Sequence, residues 1–314
     1  MQQQTPYLVG IGAANVDLHG RSRKAIVLHD SNPGYLHTSA GGVTRNILEN
    51  CARQGVPAAL MSAVGADLSG QVILSACKVA GIDVSRVLIR ENAVSSTYMA
   101  MLDENGEVFA GMSDMRILES LPETYLEENA RYLRAAAAIV TDGCLQLPFL
   151  ERLLSVAEGH APVFVDPVST AYARKIAPIV GGFYAVKPNR LELAVLSGTP
   201  VETDAQIELA AEHVLSRGTR RVVVSLGVRG CYYADDAGRR VFRSLRPVDD
   251  MENATGAGDA FMAGFLHGHL LGLSVEEQLD YALASGIVAV RSPDTIHPGM
   301  SDSLVRETLE RSRI

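Results

Sequence analysis

The chain has 314 residues, 47% of them hydrophobic, and a formal net charge of −8. This length and apolar content are enough to bury a large core, so a disordered or fibrous protein is excluded. A nucleic-acid-binding protein is also excluded, because such a surface needs clustered Lys and Arg, and the basic residues here are scattered.

Alternating elements open the chain. A strand is predicted at residues 7–12, a helix at 46–54, a strand at 58–64 and a helix at 70–80. Alternation of this kind predicts a doubly wound, mainly parallel sheet with helices on both faces.

The alternation stops between residues 84 and 112. Three β-like stretches, at 84–89, 96–102 and 108–111, follow one another without a helix, and residues 103–106 form a predicted hairpin turn. Residues 17–39 are polar and rich in turn formers. Together, about 17–39 and 84–116 are predicted to form a small sheet that projects from the main domain.

Strands and helices alternate again after residue 123. Strands are predicted at 136–141, 163–165, 183–186 and 222–226. Helices are predicted at 256–271, 275–290 and 302–311.

A glycine-rich turn, Asn-Ala-Thr-Gly-Ala-Gly-Asp at residues 253–259, opens the first of these late helices. Its glycines let the backbone approach an anion, and the unpaired amides of the first helical turn favour negative charge there. Asp259 places a carboxylate at the same point, which suits a base beside a phosphoryl group. The alternative is that Asp259 only caps the helix.

Three further motifs accompany this turn. Ser-Ala-Gly-Gly-Val-Thr-Arg-Asn at 39–46 sets a glycine pair ahead of a helix. Lys-Pro-Asn-Arg-Leu-Glu at 187–192 puts Asn189 and Glu192 on one face of a helix start, which suits hydrated magnesium and a phosphate, or a capping box alone. Val-Val-Val-Ser-Leu-Gly-Val-Arg-Gly at 222–230 joins two β-rich runs through a glycine turn, which also fits a simple hairpin.

In this order and at these separations, the four motifs resemble those of the ribokinase-like carbohydrate kinases, the PfkB family, over almost the whole chain. The resemblance implies one ribokinase-like α/β domain over residues 1–314, in which the small sheet is a lid over the sugar and the interface of a homodimer. It also implies an enzyme that transfers a phosphoryl group from ATP, with Mg²⁺, to an alcohol group of a small molecule.

The resemblance assigns roles to residues already quoted. Asp259 takes the proton of the attacking hydroxyl, while the backbone of Gly256, Ala257 and Gly258 stabilises the transferring group. Glu192 holds Mg²⁺ through water. The implied nucleotide-binding residues are Lys187, Asn189, Ser225, Gly227 and Gly230, although Lys187 also fits an ordinary surface lysine.

Sugar recognition is implied at the end of the first strand and at the glycine pair. The residues are Asn15, Asp17, Gly41, Gly42 and Asn46. Asp142, at the end of a predicted strand, is a further candidate, because the carboxyl ends of strands line ligand crevices. It fits a loop-capping aspartate equally well.

Within the family, the chain is most similar to the subgroup that phosphorylates pseudouridine. This likeness rests on Asp-Ser-Asn-Pro-Gly at residues 30–34, where Asp30 and Ser31 become candidate base contacts, and on Asn253, where most relatives carry Asp. The expected reaction is transfer to the 5′-hydroxyl. Ribose, adenosine, a fructose phosphate and a catalytically silent ligand-binding protein are the alternatives.

Asn253 also bears on ions, because relatives with Asp there use it near a K⁺ or Na⁺ site. Asn keeps a carbonyl ligand but loses the charge, so both outcomes stay open for a monovalent cation.

Other signals in the sequence fit packing better than chemistry. His267 and His269 lie two apart on a predicted helix, on different faces, which is unsuitable for a metal pair. Methionines at 99, 101, 112 and 115 fit packing or, in a lid, the floor of a base site.

The cysteines and the hydropathy indicate the compartment. Cys51, Cys77, Cys144 and Cys231 are far apart in apolar runs, which predicts core thiols and not a disulfide framework or zinc site. No run approaches the ~20 apolar residues of a membrane span, and no basic and apolar leader opens the chain. We therefore expect a cytoplasmic protein with no membrane partner.

Overall fold

The computed structural model of the chain describes residues 6–246 and 251–313. The strands in this part are β1 (Leu8–Ile11), β2 (Asn15–Ser22), β3 (Gly34–Gly41), β4 (Ala58–Met61), β5 (Ala63–Gly65), β6 (Leu88–Arg90), β7 (Thr97–Leu102), β8 (Val108–Asp114), β9 (Ala138–Asp142), β10 (Val163–Asp166), β11 (Ala185–Val186), β12 (Arg221–Ser225), β13 (Cys231–Asp235) and β14 (Arg240–Arg243). The α-helices are α1 (Val43–Arg53), α2 (Leu68–Val79), α3 (Glu123–Glu128), α4 (Ala130–Arg134), α5 (Leu147–Ala157), α6 (Thr170–Ile176), α7 (Arg190–Ser197), α8 (Asp204–Leu215), α9 (Ala257–Leu270), α10 (Val275–Val290) and α11 (Asp302–Ser312).

The main sheet has the strand order β14-β13-β12-β11-β10-β9-β1-β4. Neighbours from β12 to β4 pair in parallel, and β13 and β14 extend one edge in antiparallel fashion. The predicted doubly wound, mainly parallel α/β sheet is confirmed. The antiparallel pair β12–β13 also forms the hairpin that the 222–230 motif allowed.

Two apolar layers hold the main sheet between helices. Along β1, Val9 and Ile11 pack into one layer with residues of α5, α7 and α8, whereas Leu8 packs into the other with residues of α1, α9 and α10. Successive side chains of a strand point to opposite faces, so a strand covered on both sides reads as a continuous apolar run. This is why the buried strands could be predicted from continuous apolar runs in the sequence.

All four cysteines lie buried and unpaired, as the sequence predicted. Among the described residues, no helix combines the length and the apolar character that crossing a membrane requires.

A separate small sheet has the strand order β3-β2-β7-β8. Its strands cover 15–41 and 97–114, close to the predicted 17–39 and 84–116. The prediction that 84–89 belongs to it is wrong, because β6 pairs in parallel with β5 in a two-stranded sheet of its own. The single strand predicted at 58–64 is also wrong, since the chain leaves the main sheet after Met61 and pairs as β5 with β6.

The two faces of the small sheet differ in chemistry. Strand register places Asp17 beside Tyr98, with His19 two residues on, and the His19 and Tyr98 rings lie edge to face at 6.4 Å between centroids. We call this the polar face; its members are Asn15, Asp17, His19 and Tyr98. The opposite, apolar face carries Leu18, Leu36, Met99, Met101 and Met112, which alternate with the polar set along the strands.

Candidate active site

Charged side chains gather where the parallel strands end. Asp142 and Asp166 close β9 and β10 at matching register, and Lys187 directly follows β11. The carboxyl ends of parallel strands share one edge of the sheet, so residues distant in sequence become neighbours there. Asp166 was not predicted, although an aspartate ending a buried apolar strand is the signal that had already singled out Asp142.

Gly256 shapes the turn at the start of α9. It adopts the left-handed conformation, with φ of 80°, and a Cβ atom there would lie 2.1 Å from the Thr295 carbonyl oxygen. Any other residue would therefore force the two loops apart. The first helical turn that follows contains Ala257, Gly258 and Asp259, and its amides lack acceptors within the helix.

Asp259 stands in this turn, and its surroundings favour the neutral acid. Burial, then the charge of Asp166, raises the pKa of Asp259 to about 7, against a hydrogen bond from Asn46 and the charge of Lys187, which lower it. A carboxyl group with a pKa near neutrality is suited to accept a proton during a reaction. The N-cap of α9 is Gly256 and no side chain makes a capping hydrogen bond there, so the base is favoured over the simple helix cap.

Asn46 contacts Asp259 directly. Its Nδ2 donates to Asp259 Oδ2 at 2.8 Å, and its Oδ1 accepts from Arg45 Nη1 at 2.7 Å. Both ends of the Asn46 amide are engaged within the protein, and its predicted contact with the sugar stays a prediction. In this arrangement it orients the carboxylate.

Lys187 is 5% exposed, so the surface-lysine alternative is wrong. Its Nζ lies 3.0 Å from Asp166 Oδ2, and a Cβ atom on Gly258 would lie 3.4 Å from the same Nζ. Burial lowers the pKa of Lys187, but the charges of Asp166 and Glu192 outweigh burial and raise it, which keeps the ammonium charged. The cation thus stands against the glycine turn, where an anion would lie.

Asn189 and Glu192 form a reciprocal capping box at the start of α7. Asn189 Oδ1 accepts from the Glu192 amide at 3.0 Å, and Glu192 Oε2 accepts from the Asn189 amide at 2.9 Å. Burial, then the charge of Asp166, raises the pKa of Glu192. The capping interpretation is confirmed, and it leaves the Glu192 carboxylate beside Asp166 and Lys187. Within the described ranges, no set of three His, Cys, Asp or Glu side chains is placed to hold a metal ion by itself.

A cavity of about 380 Å³ adjoins the glycine turn. Of the predicted nucleotide residues, Ser225, Gly227 and Gly230 line it, together with Ala257 and Gly258. Apolar lining residues that sequence reasoning did not identify are Leu245, Met251, Phe261, Leu283, Ile287 and Val290. Most look like ordinary core positions in sequence, so periodicity gives no signal for them.

The predicted sugar residues lie where β2 and β3 meet α1. Asn15 Nδ2 donates to Asp17 Oδ1 at 2.7 Å, and a Cβ atom on Gly41 would lie 2.2 Å from Asp17 Oδ2. Gly42, with φ of 101°, caps α1, and a Cβ atom there would lie 2.5 Å from the Ala13 carbonyl oxygen. The glycine pair thus makes room for the Asp17 carboxylate and for the turn into α1.

Asp142 fits its capping alternative. Its Oδ2 accepts from the Ala13 amide at 2.7 Å and from Thr44 Oγ1 at 2.7 Å, and its Oδ1 accepts from the Cys144 amide at 2.9 Å. The side chain is fully buried. Its oxygens therefore join β1, β9 and α1, and its contact with substrate stays a prediction.

Asp30 and Ser31 lie in the exposed loop between β2 and β3, where Asp30 Oδ1 accepts from the Ser31 amide at 2.7 Å. The hairpin pairs Asn15 with Gly41 at one end and Ser22 with Gly34 at the other. At ~3.3 Å per residue, the loop stands roughly 23 Å along the strand from Asn15. The structure does not bring these two predicted base contacts to the other sugar residues.

Three of the methionines considered as the floor of a base site belong to the small sheet. Met99, Met101 and Met112 lie on the apolar face, opposite Asp17.

The loop of residues 293–298 contacts both the glycine turn before α9 and the end of α1. Asn253 Nδ2 donates to the Pro293 carbonyl at 2.9 Å, and Asn253 Oδ1 accepts from the Thr255 amide at 2.9 Å. Arg53 Nη1 donates to the Pro298 carbonyl at 3.0 Å. The predicted cation ligand Asn253 thus holds the glycine turn to this loop.

The site combines a carboxylate among helix-terminal amides with a buried lysine and an adjoining apolar cavity. Groups of this kind suit the transfer of a phosphoryl group. The sequence pattern of the pfkB family carbohydrate kinases matches residues 5–302. The chain therefore belongs to that family: it is an ATP-dependent sugar or nucleoside kinase with the ribokinase-like fold.

Individual relatives agree with this assignment. The chain is 33% identical to pseudouridine kinase of Escherichia coli, over 99% of this chain and 98% of the relative. It is 25% identical to guanosine-inosine kinase of Exiguobacterium acetylicum, over 94% and 98%. The structure of Arabidopsis thaliana ribokinase complexed with ribose and ATP superimposes with a TM-score of 0.86 at 23% identity, over 98% of this chain and 99% of that one.

Proposed function

We propose that this chain is a pseudouridine kinase, which transfers the γ-phosphoryl group of ATP to the 5′-hydroxyl of pseudouridine. The observation that carries the reaction is the placement of the Asp259 carboxylate in the first turn of α9, among amides without acceptors in the helix and near the buried Lys187 ammonium; its raised pKa agrees with this role. Asp259 takes the proton of the 5′-hydroxyl as that oxygen bonds to the γ-phosphorus. The bond from phosphorus to the bridging oxygen breaks, and ADP leaves.

Charge stabilisation comes from the glycine turn and from Lys187. The amides of Gly258 and Asp259 and the Lys187 ammonium face the equatorial oxygens of the transferring group, where charge collects. The adjoining cavity of about 380 Å³ then takes the adenosine part of ATP.

Mg²⁺ fits the acidic groups beside this turn. Mg²⁺ keeps several waters and is bound through one or two carboxylates plus nucleotide phosphates, which suits Glu192 and Asp166 and needs no protein cage. When bound, the ion neutralises charge on the β- and γ-phosphates. Replacing Glu192 with Gln should raise the Mg²⁺ concentration needed for half-maximal rate, and an unchanged Mg²⁺ titration would leave Glu192 with its capping role alone.

Ribose recognition falls to Asn15 and Asp17. They are acceptors at the root of the small sheet, on its polar face, and vicinal hydroxyls are recognised by paired acceptors of this kind. The small sheet acts as the lid, which closes over the ribose and excludes water.

We assign base recognition to His19 and Tyr98 in place of Asp30 and Ser31. These two side chains share the face of Asp17, whereas the 30–34 loop stands at the far end of the hairpin. Pseudouridine carries a ring N–H where uridine has carbon, and a site that accepts from this donor rejects uridine because its acceptor would be left unpaired. The 33% identity to a pseudouridine kinase supports this substrate.

The remaining proposals concern the surroundings of the enzyme. The exposed apolar face of the lid favours a homodimer formed through it. Four unpaired thiols favour the reducing cytoplasm. We also propose that K⁺ or Na⁺ binds near Asn253 and activates the enzyme. Rates measured in Tris buffer with and without each salt would test this.

The deciding experiment is a comparison of kcat/KM for pseudouridine, uridine, adenosine and ribose at saturating ATP. Pseudouridine should exceed uridine by at least tenfold, the loss of one hydrogen bond at a specific site. A preference for ribose or adenosine would contradict the substrate and keep the kinase. If none of the four compounds is phosphorylated, fructose phosphates and other sugars become the candidate substrates.

A further inference from the structure

The guanidinium of Arg45 is buried directly behind the amide that contacts Asp259. Arg45 is 3% exposed. Its Nη1 donates to Asn46 Oδ1 at 2.7 Å and to the Ala40 carbonyl at 3.0 Å, and its Nη2 is ion-paired with Glu49. We propose that Arg45 is a positioning residue that fixes which end of the Asn46 amide faces Asp259. The proposal rests on Asp259 being the base.

The argument depends on the two ends of one amide. Asn46 presents Oδ1 to a cation and Nδ2 to a carboxylate, and each neighbour accepts only that arrangement, because a guanidinium has no acceptor and an ionised carboxylate has no donor. Without Arg45, the amide is free to turn its oxygen away from this position. Asp259 then loses the donor at 2.8 Å that favours its ionised form.

Other charged or titratable side chains lie around Asp259 and around Arg45. Asp166, Lys187 and Asp142 act on Asp259 from the strand ends, and Glu49, Asp17 and Cys77 lie near Arg45. None of these groups touches Asn46 Oδ1 in the described contacts, so Arg45 fixes the oxygen end of the amide while Asp259 contacts the nitrogen end.

Arg45 also connects the base to the lid. The Ala40 carbonyl that it binds belongs to β3, one of the four strands of the small sheet. One guanidinium therefore joins a lid strand, the Asn46 amide and the α1 carboxylate of Glu49.

Arg53 provides a matched control. Its Nε donates to Glu49 Oε1 at 2.8 Å, so it shares the Glu49 carboxylate with Arg45, but none of its described contacts is with Asn46 or Ala40. Replacing Arg53 with Met removes an ion pair of Glu49, as replacing Arg45 does, and also the bond to the Pro298 carbonyl, but it leaves the contacts of the Asn46 amide in place.

The experiment measures kcat against pH for Arg45→Met, Arg53→Met, Asn46→Ala and the Arg45→Met/Asn46→Ala double variant, at saturating substrates. Arg45→Met should lower kcat at pH 7 by roughly 10- to 100-fold, the value of one lost charge-assisted hydrogen bond, and move the acidic limb to higher pH. Arg53→Met should leave the limb in place. In the Asn46→Ala background, Arg45→Met should add no further shift.

Equal shifts in the two arginine variants, or a full shift of the limb on removing Arg45 when Asn46 is already Ala, would overturn the proposal. Arg45→Lys retains a charge that reaches Asn46 Oδ1, so it should show a smaller shift in the same direction, and it replaces Arg45→Met if that variant does not fold. An active Asp259→Asn variant would contradict the base itself, independently of these comparisons.

Discussion

At the scale of single residues, the neighbours of the Asp259 carboxyl group have opposing effects on its protonation. Burial and the neighbouring Asp166 favour the neutral form of Asp259, whereas the Asn46 amide and the Lys187 charge favour the anion that accepts a proton. A base of this kind is poised near the pH at which it works, because its pKa of about 7 balances availability against basicity.

Replacing Asp259 with Asn should lower kcat by ~10²–10⁴, the usual effect of losing a general base. ATP binding should change little, because the amides of the turn remain. Single-turnover rates and nucleotide titrations measure the two quantities. A variant with more than a tenth of the wild-type rate, with chemistry limiting in both proteins, would remove Asp259 from this role.

The same carboxyl group should link activity and stability to pH with opposite signs. Activity needs the anion, so kcat should rise through pH 7. A raised native pKa favours folding at low pH, so this contribution to the free energy of unfolding is complete below pH 4 and lost as the pH rises to about 7.

Asp259→Asn removes this penalty and should therefore be more stable than the wild type at pH 8, on the order of 2–4 kcal/mol, and similar to it at pH 4. Urea unfolding at both pH values measures the difference. Equal stabilities at pH 8 would show that the pKa is not raised.

The sequence could predict the glycine turn, Asp259 and the capping box, because each is local and its residues are contiguous. It could not predict that Lys187 is buried against Asp166, because this ion pair depends on two strands meeting side by side. For the same reason, the sequence could not predict that Asn46 on α1 donates to Asp259 on α9.

At the scale of elements, the lid and its neighbours show where periodicity is ambiguous. Residues 84–89 alternate like the lid strands that follow, yet β6 pairs with β5, because pairing partners are chosen by tertiary context that a single β-like segment does not encode. By contrast, the strands buried on both faces are continuous apolar runs and were placed to within a few residues.

Substrate binding should protect the lid from hydrogen exchange. Peptides covering 15–41 and 97–114 should exchange more slowly in the presence of pseudouridine and a non-hydrolysable ATP analogue, since closure buries the polar face against the ribose. Peptides covering β5 and β6, which lie outside the small sheet, are the internal control. Unchanged exchange in 15–41 and 97–114 would mean that the small sheet does not close when substrate binds.

At the scale of the whole molecule, the lid presents an apolar surface that a monomer would leave in water. On the apolar face, Leu36 is 77% and Met112 is 68% exposed. Contiguous exposed apolar side chains of this kind mark interaction surfaces.

Leu36→Glu and Met112→Glu should each convert a dimer to a monomer, as measured by light scattering after gel filtration. A charge buried in an interface without a partner costs several kcal/mol. Leu191→Glu is the control, because Leu191 is 69% exposed on α7, away from the lid. A monomeric wild type would contradict the dimer.

The loop of residues 293–298 makes the contacts described above through backbone oxygens: Pro293 to Asn253, Thr295 against Gly256, and Pro298 to Arg53. Every residue type supplies the same carbonyl, so the loop can vary in composition while it keeps its length. Point substitutions there should be mild, but deletion of one residue should misalign α1 and α9 together. In a library of random variants, this segment should therefore accept many different amino-acid sequences but no insertion or deletion.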